Sequence, residues 1–375
     1  MMECCDVIVV GAGIAGASAA YELAASGSVI VLERESQPGY HTTGRSAAQF
    51  LETYGNSVIR RLTRASRAFF FTQPKGFTEH QLLSARSALY IAREDQLDEL
   101  ARFEDEVRRL TPSVERLSAR QTLEIVPVLK EAYVASSVIE PEAMDIDVHA
   151  LHHGYLKGLR RRGGKVVTDA EVTTLSKSRG MWITETPAGT FSAPVVVNAA
   201  GAWCDVIAKL AGVRPSGLVP KRRTAFTIDP PPELDTSAWP LTLDIDEQFY
   251  FKPESGLILV SPADETPSPP CDSRPEETDV ALAVERIQSA TTLTVPRINH
   301  KWAGLRSFVA DNTPVLGMDG EAGGFFWLAG QGGYGIQTAP AMARAVAALI
   351  ASGALPDDFA ELDLRESALA PQRLR

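Results

Sequence analysis

Gly11, Gly13 and Gly16 stand in the spacing G-x-G-x-x-G, within DVIVVGAGIAGASAAYELAASGSVIVLER. That spacing suits a pyrophosphate. The first glycine permits a tight turn, the second lets backbone approach the anion, and the third lets a helix pack on a strand. Ala15 falls in the first turn of that helix, whose amides point at the phosphates. Glu33 follows the first glycine by about 20 residues, where a carboxylate accepts hydrogen bonds from a ribose hydroxyl. Far down the chain, Arg306 sits in KWAGLRSFVADNTPVLG, between Ala303, Leu305 and Phe308. A guanidinium among apolar residues needs an anion. Either an internal carboxylate such as Asp311 or the carboxylate of a substrate would satisfy it.

The elements that must position these groups are readable around them. Val7 to Val10 form a continuous apolar run, as in a strand buried on both faces, and Val29 to Leu32 form a second. Strand, glycine turn, helix, strand and acid come in the order of a dinucleotide-binding unit. VVVNAAGAWCD (195–205) reads as a return strand running into small residues. QGGYGIQTAPAMARAVAALI (331–350) reads as a glycine loop opening a long helix. Its residues Gly332, Gly333, Tyr334, Gly335, Ile336 and Gln337 would bring backbone amides to another polar edge. A cofactor held from the beginning, middle and end of the chain is large, which favours FAD over NAD.

The bulk numbers exclude several classes. The 375 residues carry 37 basic against 47 acidic side chains, a net charge of −10, which argues against nucleic acid and anionic lipid as partners. Hydrophobic residues make up 45%, enough for sizeable cores. Cys4, Cys5, Cys204 and Cys271 have neither disulfide nor metal-ligand spacing, so no metal site is expected and a reducing compartment is. An acidic MMECCD is no signal peptide, and no run of about 18 apolar residues offers a membrane span. The expected location is the cytoplasm, with peripheral membrane association left open.

Taken together, GAGIAG followed by ER, HTTGRSAA, VVNAAGAW, WAGLRSF and QGGYGIQT resemble the D-amino-acid oxidase family of flavoproteins along nearly the whole chain. Within it, the motifs are most similar to bacterial FAD-dependent D-arginine dehydrogenases. The resemblance implies non-covalent FAD and oxidation of an amino acid's Cα–N bond. It implies adenosine contacts at Ala15, Glu33 and Arg34, and an adenine contact at the Val172 backbone. It places Thr42, Thr43, Gly44, Arg45, Ser46, Ala47, Ala48 and Gln49 beside the pyrophosphate and flavin ring, and Gly332 to Gln337 at the flavin's pyrimidine edge. Arg223, Tyr250 and Arg306 would hold the substrate carboxylate, and Tyr54 would stand in the pocket on a mobile loop. Four positions depart from the D-arginine dehydrogenases. Their Arg-Pro-Glu is Arg86-Ser87-Ala88 here, a histidine is Gln49, and a threonine is Leu51. The glutamate that would pair with a substrate guanidinium is thus replaced by Ala88, so the expected side chain is apolar.

The fold expected is α/β: a discontinuous Rossmann-like FAD-binding domain (1–80, 146–215 and 302–364) with an inserted α+β substrate domain (81–145 and 216–301) on a mixed sheet. Asp147 should cap a helix, and KVVT, AEVTTL and MWITET should form a small antiparallel meander. DETPSPPCDSRPEET should be a surface loop without chemistry. The expected reaction is oxidative deamination of a D-amino acid, by hydride transfer from Cα to flavin N5. Oxidation of glycine, sarcosine or another secondary amine is the alternative within enzymes. A flavin-binding electron-transfer subunit without its own substrate is the alternative outside them. The electron acceptor (oxygen, quinone or protein) stays open. His41 is read as structural.

Overall fold

The computed structural model describes residues 2–375, and four sheets organise it. The central one has six strands, in the order Lys165–Val167, Val29–Leu32, Val7–Val10, Val195–Asn198, Phe325–Ala329 and Val315–Met318. Neighbours are parallel except the last pair. Successive side chains of a strand point to opposite faces. Val7, Val9 and Val31 therefore join a core under the helices Ile14–Leu23 and Gly335–Ser352, with Phe326 and Val346. Ile8, Val10 and Ile30 face the other way, onto Trp182, Phe191 and Trp327. Burial on both sides is why these strands read as unbroken apolar runs.

The second face is covered by the meander Thr174–Ser178, Met181–Thr186 and Gly189–Ala193, extended by Met2–Cys4. Lys165–Val167 is not part of it, contrary to expectation. The helix Val148–Arg161, capped by the Asp147 carboxylate on the Ala150 amide at 2.8 Å, returns the chain to the edge of the central sheet. There Val166 pairs with Val31 and packs on the same core.

The inserted segments merge into one large mixed sheet. Its order is Thr266–Pro267, Val219–Ile228, Leu257–Ser261, Tyr250–Glu254, Leu241–Asp244, Ala88–Ala92, Ser136–Glu140 and Glu115–Ser118. His300–Phe308 pairs with Val219–Ile228 along nearly its whole length. The strand carrying Arg306 therefore belongs to this sheet, and the boundary expected at 302 passes through it. A small fourth sheet ties the two halves: Gln49–Phe50 and Leu83–Ala85 both pair with Met144–Ile146. The proline-rich loop is also a clasp rather than a free surface. Thr266–Pro267 pairs with the strand bearing Arg222, and Asp272 and the Ser273 carbonyl grip Arg45.

Candidate active site

One cleft runs from the glycine turn to the junction with the large sheet. At the turn, Gly11 holds φ +100° and a Cβ there would stand 2.6 Å from the Ala199 carbonyl oxygen, so only glycine fits. Gly16 does not line the cleft. A Cβ on it would stand 1.8 Å from the Gly11 carbonyl oxygen, so its role is close packing of helix on turn, as the spacing predicts. Gly13, Ile14 and Ala15 line the cleft. The Glu33 carboxylate, almost fully buried, accepts the Ala12 amide at 2.7 Å and the Glu35 amide at 3.0 Å. Each oxygen keeps a lone pair for a ribose hydroxyl. Arg34 lies over the Trp203 ring at 4.9 Å, and Val172 lines the same end.

Further along, the Thr43 hydroxyl accepts the Ile14 amide at 2.9 Å and retains its proton to donate to an anion. Thr42 lines the cleft too, although its hydroxyl is used on the Leu305 carbonyl at 2.8 Å. Ser46, Ala47, Ala48 and Gln49 line it as expected. Gly44 lies behind it, its amide bonded to the Gly39 carbonyl at 2.8 Å. The Arg45 guanidinium is taken up by Asp272 and by the Ser273 and Ala303 carbonyls, so it fastens the loop to the large sheet.

In the late glycine loop, Gly332, Gly333, Gly335 and Ile336 line the cleft, while Tyr334 meets the Tyr54 ring edge to face with centroids 4.8 Å apart. Gln337 lines the cleft as well, with its side-chain amide engaged by the protein. It exchanges two hydrogen bonds with the Leu51 backbone, both at 3.2 Å, and donates to Thr63 at 2.9 Å.

At the inner end, Arg306, Arg223, Tyr250 and Tyr54 converge on one space, from three strands and the loop after Gln49–Phe50. Arg306 has no carboxylate partner among the described residues. Its one hydrogen bond goes to the Tyr54 hydroxyl, at 3.0 Å, and Asp311 pairs with Arg373 instead. Burial acts to lower the guanidinium's pKa. The nearby Tyr54, Tyr250, Glu247 and Tyr334 outweigh it, and the cation is held firmly charged. Gly333 makes room for it: a Cβ there would stand 2.8 Å from Arg306 Nη1. Arg223 is partly spent, donating to the Asp264 carbonyl at 2.9 Å and to Glu265 at 3.1 Å. Of the two guanidiniums, Arg306 is the one that keeps more of its donors unpaired. Burial pushes the Tyr54 hydroxyl up, and Glu247 adds to it, so Tyr54 stays neutral and able to donate.

The walls beyond are apolar. Leu51, Leu241 and Leu243 line the cleft and pack with fully buried Ala88. Sequence reasoning did not find Glu247 at the mouth or Glu140 behind Tyr54. Glu247 holds φ +53° on a turn whose 246 and 248 amides both bond the buried Asp244 carboxylate. Glu140 carried the same signal as Arg306, a charged residue in an apolar strand, SSVIE.

Three buried polar atoms on residues along the cleft have no protein partner: His41 Nδ1, Gln49 Oε1 and Gln331 Nε2. Buried polar groups are rarely left unpaired. A long polar ligand between the glycine turn and Arg306 would satisfy them, and the Glu33 carboxylate and Thr43 hydroxyl fit its sugar and phosphates. Thus the residues fit FAD, and comparison with known proteins agrees. The family model for FAD dependent oxidoreductases (DAO) matches residues 6–349. Glycine oxidase of Geobacillus kaustophilus is 25% identical over 96% of both chains. Human mitochondrial dimethylglycine dehydrogenase is 25% identical over 96% of this chain and 44% of its own length. Among solved structures, L-proline dehydrogenase from P. horikoshii superposes with a TM-score of 0.86, at 21% identity, over 100% of this chain and 98% of that one. The finer similarity to D-arginine dehydrogenases rests on the motifs alone. FAD is the cofactor, and the chain belongs to the DAO family of FAD-dependent oxidoreductases.

Proposed function

We propose that this chain oxidises the Cα–N bond of an amino acid of D configuration with an apolar side chain. The observation that carries this reading is Arg306: a buried cation without a carboxylate partner, at the inner end of a cofactor cleft. A substrate carboxylate would complete it, and the planar fork would fix orientation as well as position. Tyr54 and Tyr250 have hydroxyls placed to donate to the same carboxylate, and Arg223 adds charge beside it. Bound FAD supplies the two-electron acceptor for the Cα hydride at N5. The protein's part is to aim that hydrogen and exclude water. Loss of the hydride and of an N–H proton leaves an imino acid. Water then converts it to a 2-oxo acid and ammonia.

The apolar preference is supported by Leu51, Leu241, Leu243 and Ala88. The D configuration rests on the motifs. No side-chain base is needed when the amine arrives neutral. His41 is bonded to Glu35 at 2.9 Å and packs at a tilt against the Trp203 ring, which supports a structural part for it. The glycine oxidase relative favours a second reading, a glycine or secondary-amine oxidase. The unpaired Arg306 speaks against a subunit without its own substrate. Anaerobic bleaching of the flavin by a panel of D- and L-amino acids and N-methyl amines decides among them. Fastest bleaching by D-Leu, D-Met or D-Phe is expected, and bleaching only by glycine or sarcosine would overturn the reading.

A further inference from the structure

Glu140 ends the strand Ser136–Glu140, is almost fully buried, and has no cation against it. One carboxyl oxygen accepts the Glu52 amide at 2.8 Å. The other takes the Thr53 amide at 3.3 Å and meets the Thr53 hydroxyl, which also lies 2.9 Å from the Tyr90 hydroxyl. The next residue is Tyr54, the partner of Arg306. Leu51, just before, is held by Gln337, and Arg60 donates to the Thr53 carbonyl at 3.0 Å. The loop that reads as mobile in sequence is therefore fastened at 51, 52 and 53, and Tyr54 projects from the fastened end.

We propose that Glu140 is a positioning residue for the carboxylate clamp, a buried latch on residues 52–53 that sets Tyr54 against Arg306. The latch rests on geometry. Its consequence for ligand binding rests on the reading of Arg306 given above.

The latch is also linked to pH. Burial raises Glu140 to about 7, against hydrogen bonds from Thr53 and the Glu52 amide that lower it, while the Glu52 carboxylate adds to the rise. An opened segment would expose the group to water, where a glutamate titrates near 4.5. The closed form thus holds the proton more tightly, so the latch is fully set below about 4.5, loosens progressively as pH rises from there, and has lost the proton's contribution once pH has passed about 7. Other charged groups face this spot. Glu52 pairs with Arg67 at 2.9 Å and Arg64 at 3.5 Å, Arg67 also meets Glu142 at 3.2 Å, and Arg60 meets Glu106 at 2.7 Å. Tyr90 is pushed far up by burial, then by Glu140 itself.

Two measurements on the holoenzyme test this. The first is amide hydrogen exchange of residues 51–54, corrected for the intrinsic rate, between about pH 5.5 and 8.5. The second is the affinity of benzoate, a carboxylate that does not titrate in this window. Glu140→Gln mimics the protonated acid, donating to the Thr53 hydroxyl while accepting an amide. It should hold wild-type low-pH protection and benzoate affinity at every pH. Glu140→Ala should exchange faster and bind benzoate about tenfold more weakly throughout, a difference of about 1.4 kcal/mol. The wild type should move from the first behaviour toward the second as pH rises toward about 7. In a Tyr54→Phe background, Glu140→Ala should add little to the loss of affinity. If Glu140→Ala does not fold, Thr53→Val removes the same hydroxyl link. Exchange at 51–54 that follows the intrinsic rate alone, with the variants no faster than wild type, would overturn the latch. Losses additive with Tyr54→Phe would overturn its link to the clamp. Should benzoate not bind at all, the clamp reading falls while hydrogen exchange still decides on the latch.

Discussion

Arg306 donates to the Tyr54 hydroxyl at 3.0 Å, and among the described residues no carboxylate forms an ion pair with it, Glu247 acting on it only from a distance. A neutral phenol takes up one of a guanidinium's five N–H donors. The remaining donors await an anion. Arg306→Met should therefore lose two charge-assisted bonds to the substrate carboxylate. A loss of roughly 3 kcal/mol corresponds to about a hundredfold or more in kcat/KM. Arg306→Lys should recover part of the affinity and little of kcat, because a point charge does not fix orientation. Steady-state kinetics with D-leucine checks both. Unchanged kcat/KM in Arg306→Met would remove the clamp.

Gly333→Ala separates function from folding. The added Cβ would stand 2.8 Å from Arg306 Nη1 and 2.9 Å from Cζ. These atoms are the far end of a flexible side chain, so the guanidinium moves and the fold survives. The melting temperature should shift by no more than a degree or two, consistent with a change of about 0.5 kcal/mol. KM should rise about tenfold because the displaced fork no longer meets the carboxylate squarely. A large thermal loss with normal KM would contradict this geometry.

Much of this was legible from local pattern. Strand, glycine turn, helix and Glu33 are fixed by neighbours within some 30 residues, and each glycine has a steric reason on the spot. The convergence of Arg223, Tyr250, Arg306 and Tyr54 was legible through motifs. What each does with its other hydrogen bonds was not. Arg223 meets Glu265 because Val219–Ile228 and the segment after Leu257–Ser261 run side by side, a pairing that no local signal announces. Gln337 lines the cleft as its motif implies, but that its side-chain amide is tied to Leu51, 286 positions away, was not legible. Lys165–Val167 was misplaced because so short a strand, with two valines, fits an edge of either sheet.

Substrate choice follows from the far wall. A D-arginine side chain would bring a guanidinium against Leu51, Leu241 and Leu243, and the one carboxylate near the clamp that lines the cleft, Glu247, is exposed to solvent rather than buried with them. D-Leu, D-Met and D-Phe should exceed D-Arg in kcat/KM by about ten- to hundredfold, the worth of one charge-assisted bond. Ala88→Glu is not expected to invert this order. Ala88 lies directly across the strand pair from Glu140, and like charges so placed destabilise a sheet. The variant should melt lower than wild type without becoming an arginine enzyme. A clear D-Arg preference in the wild type would end the apolar reading.

The pH dependence of kcat/KM should rise toward alkaline pH and report the substrate amine rather than a base on the protein. His41 is the histidine close enough to test. Its Nε2 lies 2.9 Å from Glu35, its ring is 4.8 Å from Trp203, and its buried Nδ1 lacks a protein partner. Those contacts place it with the Glu33 end of the cofactor rather than with Arg306. His41→Ala should weaken FAD retention, read as flavin lost on dialysis, and leave the alkaline limb where it was. The limb should instead move with the substrate, following amine pKa across a series of N-alkyl and fluorinated amino acids. Glu140 opposes the rise: its latch loosens as pH rises toward about 7, so kcat/KM at saturating proton loss should fall short of the amine titration alone. Glu140→Gln should restore the full limb. A limb that disappears in His41→Ala while FAD stays bound would assign the base to His41 and overturn this account.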